Sequence, residues 1–377
     1  MTDRAWESRL ITVVAAVLVV FGLAAVYGAS SLVSTGGGGQ VGASFALRQA
    51  VGAVVGGLLA TILARVDYHK WRDWAWPALG VTVFLLLIPL LPFTHRISPT
   101  INGARRWVSL GVLSLQPSEL AKFTVVVWCA MLAAKKGEQL RSLRFGVVPF
   151  LVILVPIIGL IFLEPNLSMA LLVAILAGTV LFTAGARIGH FLLVGVLATP
   201  LLYGAVASAQ YRLARVLTFL NPGAAPTEAT WQVKQSLIGI GAGQLVGVGV
   251  GKGQQKLGNL PYAYSDFIFS TIGEEWGFLG VLVIALLFGT FIYFGFKIAR
   301  TAGDSFGQLL ATGITMMIGL SVVLHLGVTL AVIPATGVTL PFMSYGRSSL
   351  IVALAATGVL VSVARGRRRA AGSRAAA

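Results

Sequence analysis

A chain of 377 residues that is 57% hydrophobic and 11% charged, with a mean hydropathy of +0.89, cannot be an ordinary soluble domain, which carries about 25% charged residues. The composition is that of an all-α polytopic integral membrane protein. Its net charge of +16 does not point to nucleic acid, because the basic residues sit in short connections between apolar runs, where they set membrane orientation.

Apolar runs of about 17 to 25 residues fall near 10–28, 47–65, 74–92, 114–134, 146–163, 167–185, 188–207, 267–296, 306–333 and 346–364, predicting ten transmembrane helices. No small-residue cleavage site follows the first run, so it reads as a retained span and not a signal peptide. With the N-terminus in the cytoplasm, the cytoplasmic segments hold Arg4, Arg9, Arg65, Lys70, Arg72, Lys135, Lys136, Arg141, Arg144, Arg187, Lys297 and Arg300, together with Arg365, Arg367, Arg368, Arg369 and Arg374. Both termini are therefore expected inside, with residues 1–364 forming one membrane domain and 365–377 a basic tail. The single Cys129 lies in an apolar run and rules out an intramolecular disulfide. His69, His95, His190 and His325 lack metal-ligand spacing, which argues against a zinc site.

Three outer segments stand apart: 93–113, the long connection 208–266, and the Pro-, Gly- and Ser-rich stretch Pro334 to Ser349. A connection as long as 208–266 is usually functional or disordered, and its aromatic residues favour function. Gly239, Gly243, Gly247 and Gly251 recur at four-residue spacing, which suggests a short packed or re-entrant helix. Gly251-Lys252 lacks the remaining positions of a nucleotide P-loop.

Six acidic residues lie on or below the outer face: Glu119, Glu164, Glu228, Asp266, Glu274 and Glu275. Glu119 and Lys122 are three apart on the fourth span and can pair on one helix face, either to fix packing or to serve a site, since charge at membrane depth is costly. Glu164 sits at a tight outer turn, where capping is the plainer role. Glu274 and Glu275 lie inside the eighth helix, with Lys122 or a loop arginine as expected partner. Asp266 follows Pro261 and Tyr-Ala-Tyr-Ser, and either it or Ser265 caps the eighth helix, or it acts as a general base at the outer membrane surface. Arg105, Arg106 and Trp107 form a basic-aromatic cluster at the same level, as an interfacial anchor or as a phosphate-binding group.

Asn102-Gly-Ala-Arg-Arg-Trp107, Gln116-Pro-Ser-Glu-Leu-Ala-Lys122, Glu164-Pro-Asn-Leu, Asp266-Phe-Ile-Phe269 with Gly273-Glu-Glu275, and Thr336-Gly-Val-Thr-Leu-Pro-Phe-Met-Ser-Tyr-Gly346 resemble, in order and on the expected sides, the SEDS family (FtsW, RodA and SpoVE). The resemblance implies a peptidoglycan glycosyltransferase that polymerises lipid II at the outer face of the bacterial cytoplasmic membrane, for division or cell shape. It implies a class B penicillin-binding transpeptidase as partner, membrane lipids around it and divisome or elongation-complex proteins beside it. Gly-Lys-Gly-Gln-Gln-Lys-Leu before Leu260 leans toward the FtsW branch. Three positions depart from the family pattern: Tyr-Ala-Tyr-Ser after Pro261 lacks a second carboxylate and a histidine, Arg347 replaces a glycine, and His325 stands where asparagine is common.

By the resemblance Asp266 is the essential carboxylate. Glycosyl transfer with inversion needs one base and a stabilised leaving group. Asp266 would take the acceptor proton, while Arg105, Arg106, Lys122, Arg212 and Arg215 would neutralise pyrophosphate and Trp107 would help guide substrate. Glu119, Glu164, Glu274, Glu275 and Ser344 are supporting residues in this reading. No certain cofactor is implied, though a divalent cation, Mg²⁺ or Mn²⁺, would suit the pyrophosphate. A lipid-linked flippase, and an idle scaffold for a transpeptidase, are the alternatives. The first would want midplane sites and internal symmetry, and no repeat between the halves is evident.

Overall fold

The computed structural model describes residues 6–30, 41–101, 103–111, 113–220 and 228–375. Asp3, Arg4 and Asn102 lie outside the described residues, as do the side chains of Glu228 and of residues 367–377.

Each predicted run is a helix: α1 (Trp6–Ser30), α2 (Val41–Leu63), α3 (Lys70–Leu87), α4 (Pro117–Lys136), α5 (Val148–Leu163), α6 (Leu167–Thr183), α7 (Ile188–Ala207), then α10 (Ile268–Arg300), α11 (Ser305–Thr329) and α12 (Arg347–Ala375). Between α7 and α10 the long connection contributes two more, α8 (Gln210–Leu220) and α9 (Glu228–Ala242). Among the described residues nine helices are long and apolar enough to cross a membrane, and α6 is a shorter apolar one. The 93–113 segment ends in a small antiparallel hairpin, β1 (Val108–Leu110) with β2 (Leu113–Leu115), paired Val108 to Leu115.

The helix α4 is the central post. Its apolar window is 83% buried, against none for α7, and it packs on α3, α6, α11 and α12. Pro117 opens α4 at its first turn, where a missing N–H costs nothing. Trp128 and Phe150 meet edge to face at 5.5 Å in the core between α4 and α5. The pairs α2 with α12, α10 with α11, and α1 with α10 complete the bundle.

Two expectations for the eighth span and its approach are corrected. The span is not one continuous helix: α10 breaks at Gly277, whose φ of 65° and ψ of −166° suit glycine and few other residues. The glycine ladder is not one helix either, because α9 stops at Ala242 and the following segment turns back onto that break. Val248 N donates to Glu274 O (3.0 Å) and Gly249 N to Glu275 O (3.1 Å), while Phe278 N and Leu279 N donate to Gln244 O (2.8 Å) and Leu245 O (3.1 Å). Backbone groups freed at membrane depth need internal partners, and the ladder supplies them. The glycines permit the approach: a Cβ at Gly243 would fall 1.8 Å from Gly273 O.

Candidate active site

Asp266 stands half-buried just before α10. The N-cap position of α10 is Phe267 and carries no side-chain cap bond, so neither Ser265 nor Asp266 caps this helix and the capping expectation is corrected. The Asp266 backbone is set by a turn, its N–H donating to Tyr262 O at 3.0 Å. Burial raises the Asp266 pKa above the usual carboxylate range; the Ser265 hydrogen bond and the positive charges of Arg215 and Arg106 pull it partly back. A carboxylate tuned upward is a stronger base near neutral pH.

The Pro334–Gly346 stretch forms a strap over this turn. Gly337, with φ 70°, lies beside Asp266, a Cβ there standing 3.8 Å from Oδ2. At its other end Ser344 Oγ donates to Ser265 O (2.7 Å) and accepts from Leu340 N (2.9 Å), and Tyr345 N donates to Tyr264 O (2.9 Å). The rings of Phe45, Tyr264 and Tyr345 pack on one another, with centroids 4.9 to 5.6 Å apart. His325 Nδ1 lies 2.9 Å from Val338 O of the strap.

Arg106, Arg212 and Arg215 gather around Tyr211 at the ends of α5 and α8. Arg106 donates to the carbonyls of Glu164 (2.9 Å) and Pro165. Arg212 donates to Ala205 O (2.8 Å) and Tyr211 Oη (2.9 Å) and lies 4.9 Å over Phe162. Arg215 sits 5.8 Å from the centre of the Tyr211 ring and donates to Ala335 O of the strap at 3.3 Å. Burial lowers the Arg106 pKa, with Tyr211 and Glu164 opposing that shift and Arg215 and Arg212 adding to it. The Glu164 carboxyl is fully buried and neither oxygen has a hydrogen-bond partner, so the expected capping role of this side chain is corrected. Burial pushes it up to about 8 against the pull of Arg106.

Other predicted residues are placed differently. Arg105 spends its guanidinium on its own connection, donating to Ser98 O (3.0 Å), Leu91 O (3.0 Å) and Thr94 Oγ1 (2.7 Å). Trp107 is half-buried where the chain enters β1. Lys122 is paired with Glu119 at 2.8 Å, both nearly fully buried, and the pair lines a small cavity with Met317, Ser321, Pro341 and Ser349 beneath the strap. The expected contact of Glu274 or Glu275 with Lys122 or a loop arginine is corrected: Glu274 accepts Gln254 N (2.7 Å), and Glu275 accepts Gly251 N (3.0 Å) and pairs with Lys256 at 2.5 Å. These carboxylates hold the glycine-rich approach to Asp266, and the basic partner of Glu275 is Lys256. Among the described residues no three His, Cys, Asp or Glu side chains form a metal-holding group.

Two buried polar residues that hold the segments around Asp266 escape a sequence reading. Gln49 is 1% exposed on α2 and bonds the strap through both amide atoms; its only signal is a lone amide inside an apolar span. Lys256 looks like a loop charge until its partner across the break is known.

The family model described as cell cycle protein, FtsW/RodA/SpoVE, matches residues 8–369. The chain is 40% identical over 349 residues to the probable peptidoglycan glycosyltransferase FtsW of Trichlorobacter lovleyi, covering 93% of this chain and 91% of that protein. It is 36% identical over 364 residues to the stage V sporulation protein E of Bacillus subtilis, covering 97% and 98%. Among solved structures, a chain of a peptidoglycan synthase complex studied for its coordination of polymerization and crosslinking matches with TM-score 0.76 at 30% identity, over 95% of this chain and 97% of that one. The rod shape determining protein RodA of Thermus thermophilus matches with TM-score 0.69 at 29% identity, over 95% and 96%.

Proposed function

The chain belongs to the FtsW/RodA/SpoVE family and is a multi-pass inner-membrane protein, and from that premise we propose that it is a peptidoglycan glycosyltransferase that polymerises lipid II, with Asp266 as general base. One observation carries the assignment of the base: Asp266 is a half-buried carboxylate, free of capping duty, that feels the charges of Arg215 and Arg106. In this reading both termini are cytoplasmic and the Asp266 end faces outward.

The reaction joins the 4-hydroxyl oxygen of one sugar to the anomeric carbon of another as the bond to the lipid pyrophosphate breaks. Asp266 accepts the hydroxyl proton, and the pyrophosphate leaves with the bonding electrons. Arg106, Arg212 and Arg215 bind that leaving group, where preorganised positive charge contributes most. Arg105 and Lys122 take supporting parts: the Arg105 guanidinium is turned back onto its own connection, and Lys122 is neutralised in a buried pair with Glu119. A divalent cation held by pyrophosphate oxygens and one carboxylate would supply further charge neutralisation there. The partner is a cross-linking transpeptidase, of class B in this proposal, and the role leans to division.

A flippase is the second reading that an observation favours, since broken helices mark transporter sites. Here four backbone groups around Gly277 are already used by the segment 244–249, which leaves the break as a structural joint. Purified protein with its transpeptidase and lipid II decides between them. Wild type makes glycan strands and Asp266→Asn does not; lipid II crossing vesicles with no strands from either protein would overturn the enzyme reading.

A further inference from the structure

We propose that Gln49 is a positioning residue for Asp266, acting from α2 through the strap. Its amide is a two-point clip: Nε2 donates to Ser344 O at 2.9 Å and Oε1 accepts from Gly346 N at 3.1 Å. The residue is 1% exposed, so no bulk water stands ready to replace either bond. Between the two clipped groups lies Tyr345, whose N–H holds Tyr264 O, and the clipped Ser344 holds Ser265 O through its hydroxyl. Asp266 is the next residue. A single amide on a different helix thus holds the two strap residues whose bonds, one from the Tyr345 N–H and one from the Ser344 hydroxyl, grip the turn just before the carboxylate.

The polarity of the clip requires an amide. The strap offers one carbonyl and one N–H, and a side chain with one acceptor and one donor at a fixed spacing satisfies both. A carboxylate would confront Ser344 O with no donor, and an apolar side chain would leave two buried strap groups unpaired. On one side of Gln49, Phe45 seals the same junction with Tyr264 and Tyr345. On the far side of the strap, Gly337 lies beside Asp266 and Arg215 holds Ala335. The strap therefore sets both the position of Asp266 and how far water reaches it. The charged and titratable groups that bear on Asp266 are Arg215 from α8, Arg106 from the connection before β1, and Tyr264 from its own turn.

The inference rests on Asp266 being the base, and the test separates the two. Lipid II polymerisation is measured for wild type, Gln49→Leu, Ser344→Ala and Asp266→Asn in the full-length protein with its transpeptidase, each first shown to be monodisperse and folded at the assay temperature. A misplacement of about 1 Å can cost about a hundredfold in rate. Gln49→Leu is expected to lower kcat by about ten- to a hundredfold with KM for lipid II within about twofold. The acid limb of its rate–pH profile is expected to move to lower pH, because a loosened strap admits water and relaxes the upward shift of Asp266. Ser344→Ala, which cuts the next link without touching α2, moves both readings the same way and decides the matter should Gln49→Leu fail to fold. Unchanged kcat and acid limb in the folded variant, with Asp266→Asn inactive, would overturn the role of Gln49 alone. Full activity in Asp266→Asn would instead remove the base on which the inference stands.

Discussion

The pair Lys256 and Glu275 offers a quantitative test of how the break in α10 is held. The Lys256 side chain is fully buried and that of Glu275 is 3% exposed, with Nζ 2.5 Å from Oε1. Nζ also donates to Gly28 O of α1 at 3.0 Å, and Oε2 accepts Gly251 N at 3.0 Å. Lys256→Met keeps the stem but strands a buried carboxylate on one backbone donor, and breaking a buried pair from one side costs about 3–5 kcal/mol. Glu275→Gln strands the ammonium and is expected to cost a similar amount. Removing both charges together leaves neither uncompensated, so Lys256→Met with Glu275→Gln is expected to cost only about 1–2 kcal/mol, mainly from the lost bond to Gly28 O. The coupling of a few kcal/mol is read from a double-mutant cycle by equilibrium unfolding in detergent micelles. Singles that cost under about 0.5 kcal/mol, or a double equal to their sum, would refute the pair as the clamp on this segment.

Gly243→Ala drives a Cβ into Gly273 O, where only backbone can yield, and it is expected to cost about 1–3 kcal/mol or more, seen as a lower melting temperature; an unchanged melt would contradict the packed ladder. Glu164 has a folded pKa near 8 against an ordinary 4.5, so its folded state holds a proton that the unfolded state releases. Stability is full below about pH 4.5 and falls as pH rises through about 8, by at most about 5 kcal/mol at ~1.4 kcal/mol per pH unit. Glu164→Gln is expected to flatten that decline in melting temperature against pH, and parallel curves would refute it. Arg106→Ala is expected to lower polymerisation by at least about tenfold. Arg105→Ala, whose bonds are all to its own connection, is expected to lower stability while keeping the rate per folded molecule within about twofold, and equal losses of rate would contradict the distinction.

The helices were legible because each apolar run is long enough to span and is separated from the next by Lys, Arg, Pro or Gly. Arg65 and Lys70 punctuate α2 and α3 in this way, and Pro117 marks the start of α4. Asp266 stood out as an acidic residue at the lip of an apolar span, with helix capping and a general base both open in sequence, and the capping alternative falls only once Phe267 is seen at the N-cap position. The break at Gly277 was not, because a glycine in an apolar run is tolerated in a membrane helix and only the segment 244–249 reveals why this one takes a positive φ. The true partner of Glu275 was hidden for a similar reason: pairing across 19 residues has no periodicity to betray it. Arg105 and Arg106 look interchangeable in sequence, yet one guanidinium turns to Thr94 and the other to Glu164 O, a difference set by tertiary packing.

In the proposed mechanism Asp266 moves a proton and does not merely hold substrate. The most direct test measures lipid II affinity and single-turnover polymerisation separately for wild type and Asp266→Asn. For Asp266→Asn the expected result is a dissociation constant within about threefold of wild type and a rate lowered by about 10²–10⁴-fold, the contribution of a general base. Affinity lost in parallel with rate, or a rate that survives the substitution, would contradict it.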